Sequence, residues 1–251
     1  MYLNSCPGRT LAQRPLCDID EAPYNAPEGY SWVFNPKTCQ WSLVWTPSPV
    51  IVDTTGNGFH MSDPNQNWVT FDLLGDGTFH HFSWPVHGSG NAWLVYDAND
   101  DGIITNGKEL FGNYTPHSDG AVPNHPDPNG FLALAWYDKR AQGGNMDGVI
   151  DKQDAIWNHL KLWIDDHCYL TPNAPCTSVP SEIHSLESAG IKSIALVYEA
   201  TPASDGGYDA YGNDFKIFVK VNVDPKNNAK DPRPSKDPRV MYDVFLRVSD
   251  Q

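Results

Sequence analysis

The chain has 251 residues, with 31 Asp and Glu against 17 Lys and Arg and a formal charge of −14, although only 19% of its residues are charged. A nucleic-acid partner is excluded, because a polyanion needs clustered Lys and Arg to displace its counterions and no such cluster occurs. No apolar run approaches the roughly 20 residues that cross a bilayer. With 40% hydrophobic and 12% aromatic residues the chain can build a core, while 20 Gly and 21 Pro call for short elements joined by structured turns. The acids are spread among Gly and Asn, as oxygen ligands for a hard cation are.

Residues 1–48 contain Cys6, Cys17 and Cys39 with Tyr30, Trp32, Phe34, Trp41 and Trp45, and read as a small strapped extension in which one cysteine pair forms. Met1-Tyr2-Leu3-Asn4 lacks the basic and apolar regions of a signal peptide, as expected where a leader has been replaced by the initiating Met. Pro49–Asp53, Trp68–Asp72 and Ala92–Asp97 are apolar strands that each deliver an Asp into a Gly turn. Helices are expected at Phe131–Tyr137, at Gln153–Leu162 (Ile156, Trp157, Leu160 and Trp163 at helical spacing) and from a Ser181 cap to Gly190. The tail alternates apolar and polar residues over Ile191–Glu199, Asp214–Val223 and Arg239–Val248, with an exposed loop at Asp224–Pro238. The expected fold is α+β, with short strands and helices joined by EF-hand-like loops and an antiparallel C-terminal β portion. Its divisions are the extension at 1–48, a calcium-binding domain at 49–199 and a β-hairpin region at 200–251 packed on that domain.

Two loops have the spacing of a calcium site. Calcium takes six to eight oxygens on a tight loop, with side chains at positions 1, 3 and 5, a Gly at 6, a carbonyl at 7 and an acid at 12. Asp97, Asn99, Asp101, Gly102 and the Ile103 carbonyl fit these places, with Ile104 as the apolar anchor. The closing acid, Glu109, stands one residue late, behind Lys108. In the second loop Asn145, Asp147, the Val149 carbonyl and Asp154 fit positions 3 to 12, and Asp138 supplies position 1 if the chain bulges over Arg140–Gly144. A worn third window starts at Asp165 and could be closed by Glu182, but Cys168 and Cys176, which enclose a Pro-rich turn suited to a local disulfide, occupy its middle. The turns Asp53–Gly58 and Asp72–Gly77 are partial matches, and Leu74 stands where a ligand is wanted. Plain Asx turns are the competing reading of every one of these loops.

The order Pro49–Phe59, Phe71–Gly77, Leu94–Gly102, Gly107–Gly112 and Asn129–Leu134, continued by Asp147–Asp151, Leu160–Asp165 and Ala189–Ile194, resembles the haemolysin-type calcium-binding related domain of secreted RTX proteins and bacterial surface proteins. The tail, with Tyr211–Phe215 and Tyr242–Leu246, resembles the version attached to soil-bacterial proteins of unknown role. The resemblance implies calcium binding; the two loops make about two ions the expected number, and the cysteines together with calcium loops point to a secreted or cell-surface bacterial protein. One branch of that family is a calcium-dependent self-processing module that cleaves an Asp-Pro bond just before the first strand. Here the junction is Ser48-Pro49, so the carboxylate nucleophile is missing.

Other chemistry is thinly represented. His80 and His81 fall on opposite faces of a strand and with His87 read as surface residues of an aromatic hairpin; His117 and His125 lie further on. No serine elbow, HExxH or phosphate loop occurs. The expected function is a secreted calcium-binding structural or adhesive module with no catalysis assigned, whose partners are calcium and a cell-surface or polysaccharide ligand. The alternatives are a carbohydrate-active protein, for which nine Trp could line a cleft, or self-processing.

Overall fold

The computed structural model describes residues 30–35, 40–97, 101–115, 128–201, 207–224 and 239–249. The chain divides into two compact units, Met1–Trp45 and Thr46–Gln251. In the first, strands β1 (Tyr30–Asn35) and β2 (Gln40–Trp45) form an antiparallel hairpin in the register Tyr30 to Trp45 through Asn35 to Gln40. Cys6, Cys17 and Cys39 lie outside the described residues, as do His117, His125 and most of the loop expected before Arg239.

The second unit contains β3 (Val50–Asp53), β4 (Val69–Phe71), β5 (His80–Phe82), β6 (Asn91–Tyr96), the helix α1 (Gly130–Ala135), β7 (Val149–Ile150), β8 (Leu160–Trp163), β9 (Ile183–Ser185), β10 (Ile191–Ala195), β11 (Glu199–Ala200), β12 (Asp214–Val223) and β13 (Arg239–Phe245). Nine strands make one antiparallel sheet in the order β7-β10-β12-β13-β3-β6-β8-β9, with β11 on the outer part of β12. β4 and β5 form a separate hairpin. The strand that opens the unit, β3, thus lies in the middle of the sheet, between the last strand and β6. Its four residues are all buried, which suits a run of Val-Ile-Val covered on both faces.

The expected α+β class is overturned: the described residues hold thirteen strands and one α-helix of six residues, so the fold is mainly β. The loops are not framed by helices in the EF-hand manner; strands or short 3-10 turns flank them. The expected helix at Gln153–Leu162 is a 3-10 turn over Ala155–His159 that runs straight into β8. Its apolar residues do face the core, but Leu160–Trp163 finds ladder partners on both sides, in β6 and β9. A helix there would leave the edges of both neighbours without hydrogen bonds, so the sheet overrides the local period. The helix expected from Ser181 is likewise two 3-10 turns around β9, although Gly190 does end the second one with φ 75°. Helix α1 is present, capped by Asn129, whose side chain accepts from the N–H groups of Phe131 and Leu132.

The core joins Val50, Val52, Leu94, Phe131, Leu162, Ile194, Val219 and Met241 across the sheet and onto α1. Phe71, Trp84, Trp93 and Trp163 form a second, aromatic knot, with centroids 5.0–5.7 Å apart in tilted or edge-on pairs. The Cys168–Cys176 disulfide closes its Pro-rich turn. No helix among the described residues is long and apolar enough to cross a membrane.

Gly107 ties two of the acidic turns together. Its N–H donates to the Asp72 carbonyl at 2.8 Å, and a Cβ there would lie 1.6 Å from the Leu73 carbonyl oxygen. Gly107→Ala is expected to lower stability by about 3 kcal/mol, at the upper end of overpacking costs, measured as a shift of the urea midpoint. An unchanged midpoint would show that this close approach does not constrain the fold.

Candidate metal centre

A strand that ends in a tight turn leaves amide groups without ladder partners. In three such turns, and in a fourth that follows the 3-10 turn Trp136–Asp138, a buried Asp takes them. Asp53 Oδ1 accepts from Thr55 and Gly56, and its Oδ2 from Gly58 at 2.7 Å. Asp72 accepts from Asp76 at 3.2 Å and Gly77 at 2.9 Å, and Asp97 from Asp101 at 3.2 Å and Gly102 at 2.9 Å. Asp138 accepts from Met146 at 2.8 Å and Gly148 at 3.0 Å. The glycines that donate to the second oxygen, Gly58, Gly77, Gly102 and Gly148, all have φ between 73° and 91°, so the bend needs a residue free to turn left-handed. Three turns repeat one more bond: Asp76, Asp101 and Asp147 each accept from the amide two residues on, at 2.7–3.0 Å.

These turns differ in how they are anchored. Ile104 and Ile150, one place beyond the residue whose carbonyl would be a ligand, are completely buried, whereas Phe79 in the same place after Asp72 is 46% exposed. The two loops expected to hold calcium are therefore the two nailed to the core.

In the first of them Asp97, Asp101 and Ile103 share one turn, and Asn99 lies outside the described residues. Glu109 closes a turn of its own: its Oε2 accepts from the amide and the hydroxyl of Thr105 at 2.8 and 2.9 Å. Lys108, where the closing acid is usual, reaches the Gly75 carbonyl of the neighbouring turn.

The second loop is gathered more completely. The chain leaves Asp138, makes a 3-10 turn over Arg140–Gln142 and returns so closely that a Cβ on Gly144 would lie 2.2 Å from the Asp138 carbonyl. Met146 takes φ 65°, rare for a side chain of its kind, and so brings its amide to both the carbonyl and Oδ1 of Asp138. Asn145 donates its amide to Asp154 at 3.3 Å and its side chain to Asp147 at 2.9 Å, and Asp154 Oδ2 accepts from Asp151. Asp138, Asn145, Asp147, Val149 and Asp154 thus form one connected cluster. Burial pushes the Asp154 carboxyl up from its ordinary value, and the nearby carboxylates of Asp138 and Asp151 add to this, outweighing its two amide hydrogen bonds. Among the described residues no Lys or Arg pairs with Asp138, Asp147 or Asp154. The donors are oxygens throughout, and each carboxylate oxygen that accepts one N–H keeps a further lone pair, so the set fits a hard cation such as calcium.

The third window is filled by hydrogen bonds. Glu182 Oε1 accepts from the Asp166 amide and meets His167 Nδ1, both at 2.7 Å, while Oε2 accepts from Val179 N–H and the Trp163 indole at 3.1 and 3.2 Å. Among the described residues, His, Cys, Asp and Glu donors gather in threes within 4.8 Å at Asp165–His167–Glu182 and Asp165–Cys168–Cys176; in the second the sulfurs are spent on the disulfide. Burial raises the Asp165 carboxyl; Glu182 is also pushed up by burial, but its four donors outweigh that and hold it below the ordinary range. His81 stacks on Trp68 with centroids 4.9 Å apart, and His87 pairs with Asp166.

A second buried polar group was hidden from the sequence reading. Ser48 is completely buried; its N–H donates to Asn113 Oδ1 at 3.1 Å and its hydroxyl has no hydrogen-bond partner. The Tyr114 hydroxyl is also buried without one, and burial together with the nearby Asp243 carboxylate raises it well above its ordinary range. The Tyr114 ring and the Ser48 carbonyl both press on Gly112, where a Cβ would meet them at 2.6 and 2.9 Å. Asp243 is wholly buried on β13 and accepts the Gly130 amide at the start of α1. The available signal was phase: Arg239, Met241 and Asp243 share the buried face of that strand, an acid where an apolar residue is the rule.

A family model described as the SPM domain matches residues 50–222. Over 193 residues the chain is 30% identical to the iron-regulated protein FrpA of Neisseria meningitidis serogroup C, an alignment that takes in 69% of this chain and 15% of that protein. It therefore spans a small part of the length of this relative.

Because Glu182 lies below its ordinary value in the folded state, it contributes stability above that value, and the contribution is lost as the pH falls through the lowered one. In Glu182→Gln the new NH2 would face N–H donors. The variant is expected to lose about 1–3 kcal/mol at neutral pH, and its deficit to shrink as both proteins are acidified below the ordinary Glu range. Thermal melts across pH decide; a deficit that does not change with pH would contradict the assignment.

Proposed function

The chain belongs to the SPM domain family, and we propose that it is a secreted, calcium-binding structural or adhesive module in which ion binding is coupled to folding. The observation that carries this is the second loop, where Asp138, Asn145, Asp147, Asp154 and the Val149 carbonyl are drawn together with no Lys or Arg counter-ion among the described residues. Asp97, Asn99, Asp101, the Ile103 carbonyl and Glu109 make the second proposed site. When bound, calcium would supply the positive charge that these crowded carboxylates lack, so its binding free energy would add to folding free energy. The protein's own part is to fix the donors: amide bonds hold each first Asp, and Ile104 and Ile150 pin the loops to the core. The Cys168–Cys176 disulfide supports a location outside the reducing cytosol.

At calcium 100-fold above its Kd, the ion adds about 2.7 kcal/mol of stability. That corresponds to a Tm higher by about 5–10 °C than in chelator for a chain of this size. Asp138→Asn is expected to remove the part of the calcium-dependent shift that the second loop contributes, leaving that of the first. A Tm that ignores chelation in the wild-type chain would refute the reading.

A second reading rests on the Ser48–Pro49 junction. The carbonyls on either side of Ser48, those of Pro47 and Pro49, accept from Leu246 and Val244 of the final segment, so the junction is held firmly inside the fold beside Asn113 and Tyr114. We propose that this is a self-processing site whose nucleophile has been replaced. The wild-type chain is expected to stay whole in calcium, and Ser48→Asp, which installs an Asp-Pro bond, to break between residues 48 and 49. Intact-mass measurement reads both. A Ser48→Asp chain that folds with a normal melting profile and stays whole would sink this second reading.

A further inference from the structure

Away from the acidic loops, a cavity of about 310 Å3 adjoins one of about 470 Å3, and Met61, Val86, His87 and Tyr211 line both. The combined cleft has a partly apolar floor, to which Val69 and the buried Trp84 contribute. Tyr169 and Tyr211 line it while each remains 44% exposed, a large ring surface left to solvent in a place where a ligand can reach it.

Both rings stand on rigid supports. Tyr169 follows Cys168, which is locked to Cys176, and its ring stacks on His87 with centroids 4.7 Å apart at 29°. The His87 ring is in turn held by the Asp166 carboxylate. Tyr211 belongs to a turn whose amides, its own and that of Asn213, donate to Asp209 at 2.9 Å. On the rim, Asp63 organises a third turn by accepting from the Asn65 amide and the Gln66 side chain at 2.9 and 2.8 Å. Gln66 and Asn67 line the cleft and are exposed. Pre-set aromatic faces with few rotatable bonds, next to amide and carboxylate groups, cost little entropy when a ligand binds.

The charge of the cleft selects the ligand. Among the described residues no Lys or Arg lines either cavity, whereas Asp63 lines one and Asp209 the other. A phosphate, sulfate or uronate would be repelled. What fits is a molecule with an apolar face for the tyrosines and hydroxyls for Asp63, Gln66 and Asn67. We propose that this cleft binds a neutral saccharide, with room for a short oligosaccharide.

The full chain in calcium-containing buffer can be run by affinity electrophoresis through gels of neutral polymers (glucan, mannan, galactan and soluble chitin oligomers), with polygalacturonate and oligolysine as charged comparisons. At least one neutral polymer is expected to retard it. Tyr169→Ala and Tyr211→Ala are each expected to weaken that retardation tenfold or more while keeping the fold and the calcium response, since neither side chain belongs to the buried core. Retardation by none of the neutral polymers, retardation that both variants retain, or binding confined to polygalacturonate or oligolysine would each overturn the proposal. The calcium response is read separately, so failure here leaves the reading of the acidic loops to its own test.

Discussion

A buried carboxylate that accepts two or three amide N–H groups of a tight turn is the device on which the rest of this molecule rests. Short strands must reverse within a few residues, and each reversal leaves N–H groups next to the core, where an unpaired donor costs about as much as a lost hydrogen bond. Asp53, Asp72, Asp97 and Asp138 meet that need one by one, each with a left-handed glycine presenting an amide to its second oxygen. The arrangement has a cost of its own. It places negative charge at low exposure, and where such acids share a loop the cost shows: the Asp154 carboxyl is pushed up by its burial, and the nearby carboxylates of Asp138 and Asp151 add to this. A turn built in this way is held by its backbone and is still short of positive charge. Both properties suit a cation site, and they arise from the same residue.

The sheet order explains why these turns are rigid. β3 opens the second unit yet lies at its centre, hydrogen-bonded to β13 on one side and β6 on the other. The last strand therefore has to arrive before the first is fully enclosed, and the Ser48–Pro49 peptide becomes an interior feature rather than a linker. The same closure brings Asp243 to the amide of Gly130, so one buried acid joins the final strand to the start of the only α-helix among the described residues. The Asp165 turn is fastened differently, by Glu182, His167 and a disulfide, and the rings beside it become a platform.

Much of this was legible in the chain, because the period of a strand and the chemistry of a turn are local. The strands read at Pro49–Asp53 and Asp214–Val223 are present as Val50–Asp53 and Asp214–Val223, the helix read at Phe131–Tyr137 is present as Gly130–Ala135, and Gly190 does end its segment, which is a 3-10 turn and not the expected helix. Bridging the excursion from Asp138 to Asn145 needed only the recognition that Gly143 has no ligand to offer. Local pattern failed where a segment's partners decide its state. Leu160–Trp163 has helical spacing and is a strand, since both of its neighbours need a ladder and no residue within the segment carries that information. That misreading, repeated after Ser181, turned a mainly β protein into an expected α+β one.

By itself, then, the sequence determined which acids could stand together, because loop spacing, Gly position and the shortage of Lys and Arg are properties of neighbouring residues. Tertiary structure decided everything that depends on distant ones. It set the class of the fold, the burial of Ser48 and Asp243, the reach of Lys108 to the Gly75 carbonyl, and the meeting of Tyr169 and Tyr211 in one cleft. Tyr169 and Tyr211 are 42 positions apart, and only the closure of the sheet, driven by burial of its Val, Ile and Trp faces, brings their turns to the same surface.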